Sequence, residues 1–121
     1  MKTEQLWARR VDTHRFEICC IPFFVHDIAL GDVVETSSDY LVRRVVEPSG
    51  RYVFRVWFGE SFHPRDEIAA QLVELGAVIE WSSSNVLAVD AADEELAKVI
   101  SGWLIEREEL RQLVYETGRT A

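Results

Sequence analysis

The sequence predicts an α+β fold within a single compact domain, residues 1–121, made of a β-rich subregion over 1–50 and a mixed subregion over 51–121. Up to about residue 58 the apolar residues fall in short β-branched and aromatic runs, punctuated by Gly, Pro, Asp and Ser; beyond it they adopt helical spacing. No Ser/Gly-rich linker separates the halves, and 121 residues is one domain's length, enough to bury roughly two-thirds of the unfolded surface. The first subregion reads as a small β-barrel-like unit or an open sheet.

Leu6 to Arg10 is short and mixed, an edge strand before the turn Asp12-Thr13-His14. The run RFEICCI from Arg15 to Ile21 is the next strand, with Phe16, Ile18 and Cys20 on one face and Glu17 and Cys19 on the other. Pro22 ends it. FFVHDIAL is apolar but too short for a helix, and Gly31-Asp32 turns the chain into Val33-Val34-Glu35. Thr36 to Asp39 is a polar turn. YLVRRVV and RYVFRVWF then flank Glu47-Pro48-Ser49-Gly50, whose Pro and Gly suit a type I turn, so residues 40–58 read as a hairpin.

In the second half, His63 caps a helix that begins at Pro64, with Asp66 and Glu67 in its first turn, Ile68, Leu72 and Leu75 at helical spacing, and Gly76 as its C-cap. AVIEW is a strand, SSSN a turn, and VLAVD a strand whose unbroken apolar run places it centrally. Asp93 caps a second helix with Glu94 and Glu95 in its first turn and an apolar stripe of Leu96, Val99, Ile100, Trp103 and Leu104. EREELR is a polar passage, and Leu113 to Thr117 before Gly118 is a last short strand. From Arg51 the order is strand, helix, strand, strand, helix, strand, the ferredoxin-like βαββαβ pattern.

Composition narrows the function classes. Apolar content of 48% and charged content of 28% are those of an ordinary soluble protein, and no apolar run reaches the roughly 18 residues of a membrane span. The N-terminal residues lack a secretory apolar region, so a cytoplasmic protein is expected. The net charge of −8 is unevenly held: residues 1–59 carry eight acids and eight Lys or Arg, residues 60–121 thirteen acids and five. Such a surface repels phosphate backbones and favours basic partners, whether proteins or cationic ligands, so neither nucleic-acid nor membrane binding is expected.

Three groups of residues bear on a site. The adjacent thiols Cys19 and Cys20, with His14 and His26, lack the two-to-four-residue gap that turns two sulfurs toward one zinc ion, so no metal or other cofactor is expected. The loop His26, Asp27 and Asp32 offers a base and carboxylates but no nucleophile or anion hole; the blander account is a surface His-Asp pair beside a turn where Asp32 accepts backbone N–H groups. Thr36 to Ser38 and Ser82 to Ser84 read as turns. Of the four tryptophans, Trp103 belongs to the helix stripe and Trp57 and Trp81 to strands; Trp7 is either a cap over the barrel end or an interface anchor.

The stretch IPFFVHDIALGDVV from Ile21 to Val34, the Pro-Ser-Gly turn, and YETG at Tyr115 to Gly118 resemble an uncharacterised bacterial family, domain-of-unknown-function family 4265. The resemblance spans nearly the whole chain and implies a bacterial protein without an assigned activity. It carries no catalytic residues to this sequence.

Two functional readings from different classes follow. In the first, the chain is a non-catalytic protein-binding protein, in concrete form a toxin-neutralising immunity protein, which docks a basic partner through Glu94, Glu95, Glu106, Glu108 and Glu109, with Trp7 as a further anchor. In the second, it is a small-ligand or regulatory module that dimerises through its sheet and lines a pocket with the loop from Pro22 to Asp32. An enzyme built on His26 and Asp32 ranks behind both.

Overall fold

The computed structural model describes residues 4–22, 28–58 and 65–119, with 118 and 119 described through their backbone alone. Among them lie two antiparallel four-stranded sheets and two helices.

The first sheet holds β1 (Ala8–Asp12), β2 (Arg15–Ile18), β3 (Val33–Thr36) and β4 (Val42–Glu47), each paired with the next. It is an open sheet, not a barrel, since β1 and β4 form its two edges. Arg9, Arg10, Arg43 and Arg44 sit on those edges, where charged side chains discourage further pairing. Alternation turns Phe16, Ile18, Val34 and Val45 to one face, where they enclose a small core with Cys20 and Ile28. β2 stops at Ile18, three residues earlier than its composition suggests. Gly31 lies at φ 83° and donates to the Ile18 carbonyl, while the Ile18 N–H donates to the Asp32 carbonyl, both at 2.8 Å. The chain after Ile18 instead carries Ile21 to the second sheet, where it packs with Ala29 against Val53 and Ala88.

The second sheet contains β5 (Tyr52–Trp57), β6 (Val78–Trp81), β7 (Val86–Ala91) and β8 (Val114–Arg119) in the order β6-β7-β5-β8. The expected hairpin over 40–58 is therefore absent, for β4 pairs with β3 and β5 with β7 and β8. The reason lies in burial: four of the six β5 residues are buried, on both faces, which requires a central position, whereas β4 is largely exposed and suits an edge. The Pro48-Ser49-Gly50 turn, with Gly50 at φ 80°, is a crossover between sheets. The central placement of β7 agrees with its apolar run. β8 runs past Gly118, and the register slips by one residue between Val53 and Phe54, so this glycine sits in a bulge.

Both helices cover one face of this sheet. α1 (Arg65–Leu75) buries Ile68, Ala69 and Leu72; its expected His63 cap and Pro64 start lie outside the described residues. It ends as a Schellman motif, with the Ala77 N–H donating to the Leu72 carbonyl, the Gly76 N–H to the Val73 carbonyl, and Gly76 at φ 109°. α2 (Glu94–Glu109) starts at Asp93, whose side chain accepts from the Leu96 N–H at 2.8 Å. It runs on through most of the polar passage EREELR, to Glu109, and the Arg107 guanidinium stacks 4.7 Å from the Trp103 ring centroid. Its buried stripe is Ala97, Ile100 and Leu104; Val99, expected in that stripe, is 52% exposed. These side chains meet Phe54, Val56, Leu87 and Val89 in the main core, where burying each Leu or Ile contributes about 1.5–3 kcal/mol.

Candidate functional site

The acidic residues singled out by sequence stand on α2, on the layer of the molecule opposite Ile21 and Ala29. Glu94, Glu95, Glu106, Glu108 and Glu109 are all exposed. They are not equivalent. Glu94 lies 3.5 Å from Lys98, Glu106 lies 3.8 Å from Arg107, and the Glu108 carboxylate accepts from the Tyr115 N–H at 3.1 Å, tying α2 to the start of β8. Glu95 and Glu109 make no ion pair with the described residues. Together with Val99, Gly102 and Glu106, these two recur every three or four positions, so five exposed residues share one solvent-facing stripe. A methyl group at Gly102 would meet no neighbouring element within 4 Å, so nothing inside the protein requires a glycine there.

Trp7 is 80% exposed and joins no core cluster among the described residues, which overturns its reading as a cap. It lies beside β1 in the first sheet, its carbonyl accepting from the Cys19 N–H at 2.8 Å, and belongs to a different layer from the α2 glutamates.

The loop site is divided. His26 and Asp27 lie outside the described residues. Asp32 is fully buried: Oδ2 accepts from the Ala29 N–H at 2.9 Å and Oδ1 from the Ser49 N–H at 2.8 Å. It thereby holds the loop to the crossover turn, which is the blander of the two roles its sequence context allowed.

Two charge pairs arise only from contacts between elements distant in sequence. Arg51, just before β5, forks onto the buried Asp90 of β7, with Nε 3.0 Å from Oδ1 and 2.9 Å from Oδ2 and a further bond from its terminal nitrogen. The hydrogen bond to Asp90 raises the guanidinium above its ordinary value, against the cost of burial. Arg55, in the middle of β5, points away from the helices and is 1% exposed at its side chain; its ion partner, Glu116 of β8, lies 3.7 Å away and is 44% exposed. Burial lowers the Arg55 guanidinium from its usual value, with Glu116 and then Glu4 opposing the shift. Register aligns Glu80, Ala88, Arg55 and Glu116 in one row across the sheet. The signal was an arginine inside an apolar strand, but its partner is set by pairing register.

Cys19 is exposed and Cys20 buried, the outcome expected of a strand, although β2 ends at Ile18 and it is packing against Ile18, Ile28 and Val34 that buries Cys20. Burial pushes the Cys20 thiol up, with smaller contributions from Glu80 and Glu4. Among the described residues no group of three or more His, Cys, Asp or Glu is placed to hold a metal ion, and no helix is long and apolar enough to cross a membrane.

Comparison with known proteins gives two matches. A family model described as "Domain of unknown function (DUF4265)" matches residues 4–115. The crystal structure of a hypothetical protein from Neisseria gonorrhoeae is similar to this chain at 26% identity and a TM-score of 0.72, covering 86% of this chain and 74% of that one. None of the curated proteins matches.

Proposed function

Since the chain belongs to the DUF4265 family, whose description assigns no activity, we propose from its geometry that it is a non-catalytic protein that docks a basic protein partner through the solvent face of its helices. The observation that carries this is the stripe Glu95, Val99, Gly102, Glu106 and Glu109, an apolar and open centre between exposed carboxylates. α1 adds three acids to one base, and α2 holds five acids to two bases. Three of the five exposed arginines among the described residues of the first half are instead matched locally, Arg9 with Glu17, Arg15 with Asp12 and Arg44 with Glu35, while Arg10 stacks on the Phe16 ring. Charge uneven along the chain is thus uneven in space.

A mid-helix glycine costs about 1 kcal/mol relative to alanine. With no internal contact to excuse it, close approach of a partner's side chain or backbone is the reason we assign to Gly102. The carboxylates around it steer a cationic surface into place and set orientation more than they add affinity. A toxin-neutralising immunity protein acting in the cytoplasm on a basic toxin is the specific form of this reading. Its scaffold is a ferredoxin-like unit, a reading supported by the order β6-β7-β5-β8 with both helices on one face.

The test is capture from the native host with the immobilised protein. A basic protein retained at about 50 mM salt and released by about 500 mM, where charges are screened within roughly 4 Å, supports the proposal. Retention that ignores salt, or a retained partner that is acidic, contradicts it.

A further inference from the structure

Beyond the helix face, and using none of the stripe residues, a cleft of about 310 Å³ opens where β5, β8 and the end of α2 meet. Trp57, Phe58, Leu113 and Val114 form its apolar walls, and Glu108 and Arg111 are its polar lining. The way α2 ends makes Arg111 unusual. Its N–H donates to the Glu108 carbonyl at 2.9 Å, and the Gln112 N–H donates to the Arg107 carbonyl at 3.0 Å. This is the hydrogen-bond pattern that closes α1. There the left-handed position is held by Gly76; here it is held by Arg111 at φ 60°, where a β-carbon is unfavourable.

The chain therefore twice builds the same helix end, once with the residue that fits it and once with a strained arginine beside an apolar cleft. Strain of this kind is retained where the side chain has a use. Arg111 makes no ion pair with a carboxylate among the described residues, while Glu108, the nearest acid in sequence that lines the cleft, is engaged by the Tyr115 N–H.

We propose that the cleft binds a small carboxylate ligand, its aromatic or branched apolar body against Trp57, Phe58, Leu113 and Val114 and its carboxylate on the Arg111 guanidinium. The volume lies at the lower end of small-molecule sites, which sets the ligand at about one ring or one short branched chain. One guanidinium pairs a carboxylate through two parallel hydrogen bonds. A dianion such as a phosphate monoester would bring a second charge toward Glu108 with no second cation lining the cleft, so a monoanion is the class that fits.

The test titrates the full-length protein with phenylacetate, indole-3-acetate and 4-methylpentanoate, each beside its uncharged amide, following backbone amide shifts by NMR. At least one acid is expected to shift Trp57, Leu113 and Val114 and to bind about tenfold or more tightly than its amide, a difference that Arg111→Gly removes. Arg111→Gly keeps the helix end, because glycine takes the left-handed position without strain, and unchanged shifts elsewhere verify that. Failure of all three acids up to about 10 mM, equal binding of acid and amide, or an undiminished preference in Arg111→Gly each overturns the proposal.

Discussion

Arg51 and Asp90 form a two-pronged ion pair across β5 and β7, with the Asp90 carboxylate fully buried and the Arg51 side chain 27% exposed. It stands where the chain has just left the first sheet and enters the second. Replacing Arg51 by alanine leaves an uncompensated buried carboxylate and is expected to cost about 3 kcal/mol in urea unfolding. Asp90→Asn combined with Arg51→Met recovers most of that loss, because no charge is then stranded. A loss under about 1 kcal/mol in Arg51→Ala would mean that the pair is solvated and unimportant to the join.

Asp32 fastens the same join from the other side, accepting from Ala29 and Ser49 with its two oxygens. Asp32→Ala is expected to lose about 2–3 kcal/mol, since two backbone N–H groups lose their acceptor. Asp32→Asn retains one acceptor and falls between the variant and the native protein. Equal losses in both variants would assign the effect to the missing charge rather than to the hydrogen bonds.

The two thiols differ in reach and in acidity. Ellman's reagent on the native protein is expected to modify Cys19 and leave Cys20 at least about tenfold slower until the chain unfolds. The pH effect has a definite sign. The folded thiol of Cys20 titrates above its ordinary value of 9.0, so the stability it contributes is complete below that value and is lost as pH rises through the folded value. Unfolding free energy measured from pH 7 to 10.5 should fall more steeply in the native protein than in Cys20→Ala.

Two substitutions in helical termini and faces separate stability from binding. Gly102→Ala is expected to stabilise the fold by about 1 kcal/mol and to weaken capture of the partner. Arg111→Gly is expected to leave the melting midpoint unchanged or to raise stability by about 0.5–1 kcal/mol, as the relief of left-handed strain outweighs the added freedom of glycine when unfolded. A marked destabilisation in either would show that the side chain, or its absence, serves the fold.

What could be read from the sequence was mostly local. Asp93 and Gly76 mark helix ends because a cap is a matter of one side chain and its own turn. The apolar run of β7 is likewise legible without partners, whereas the strand read through Cys19 and Cys20 ends at Ile18. The crossover at Ser49-Gly50 reads as a hairpin from sequence because a type I turn reverses or redirects a chain equally well; the burial of β5 on both faces decides between the two. Val99 falls at stripe spacing yet faces solvent, since the facing surface, not the period alone, fixes where the stripe is centred. The α2 carboxylates were visible as charges, but the tie of Glu108 to Tyr115 and the pairing of Arg55 with Glu116 depend on elements meeting in space.

The central claim is that the stripe on α2 steers and seats a basic partner. The measurement that tests it most directly is the association rate of the captured partner with the native protein and with Glu95→Lys/Glu106→Lys/Glu109→Lys, each across a salt series. The account predicts a rate that falls about tenfold or more in the triple variant, loses most of its salt dependence, and leaves dissociation within about threefold. An association rate and salt dependence that survive the charge reversal would contradict it.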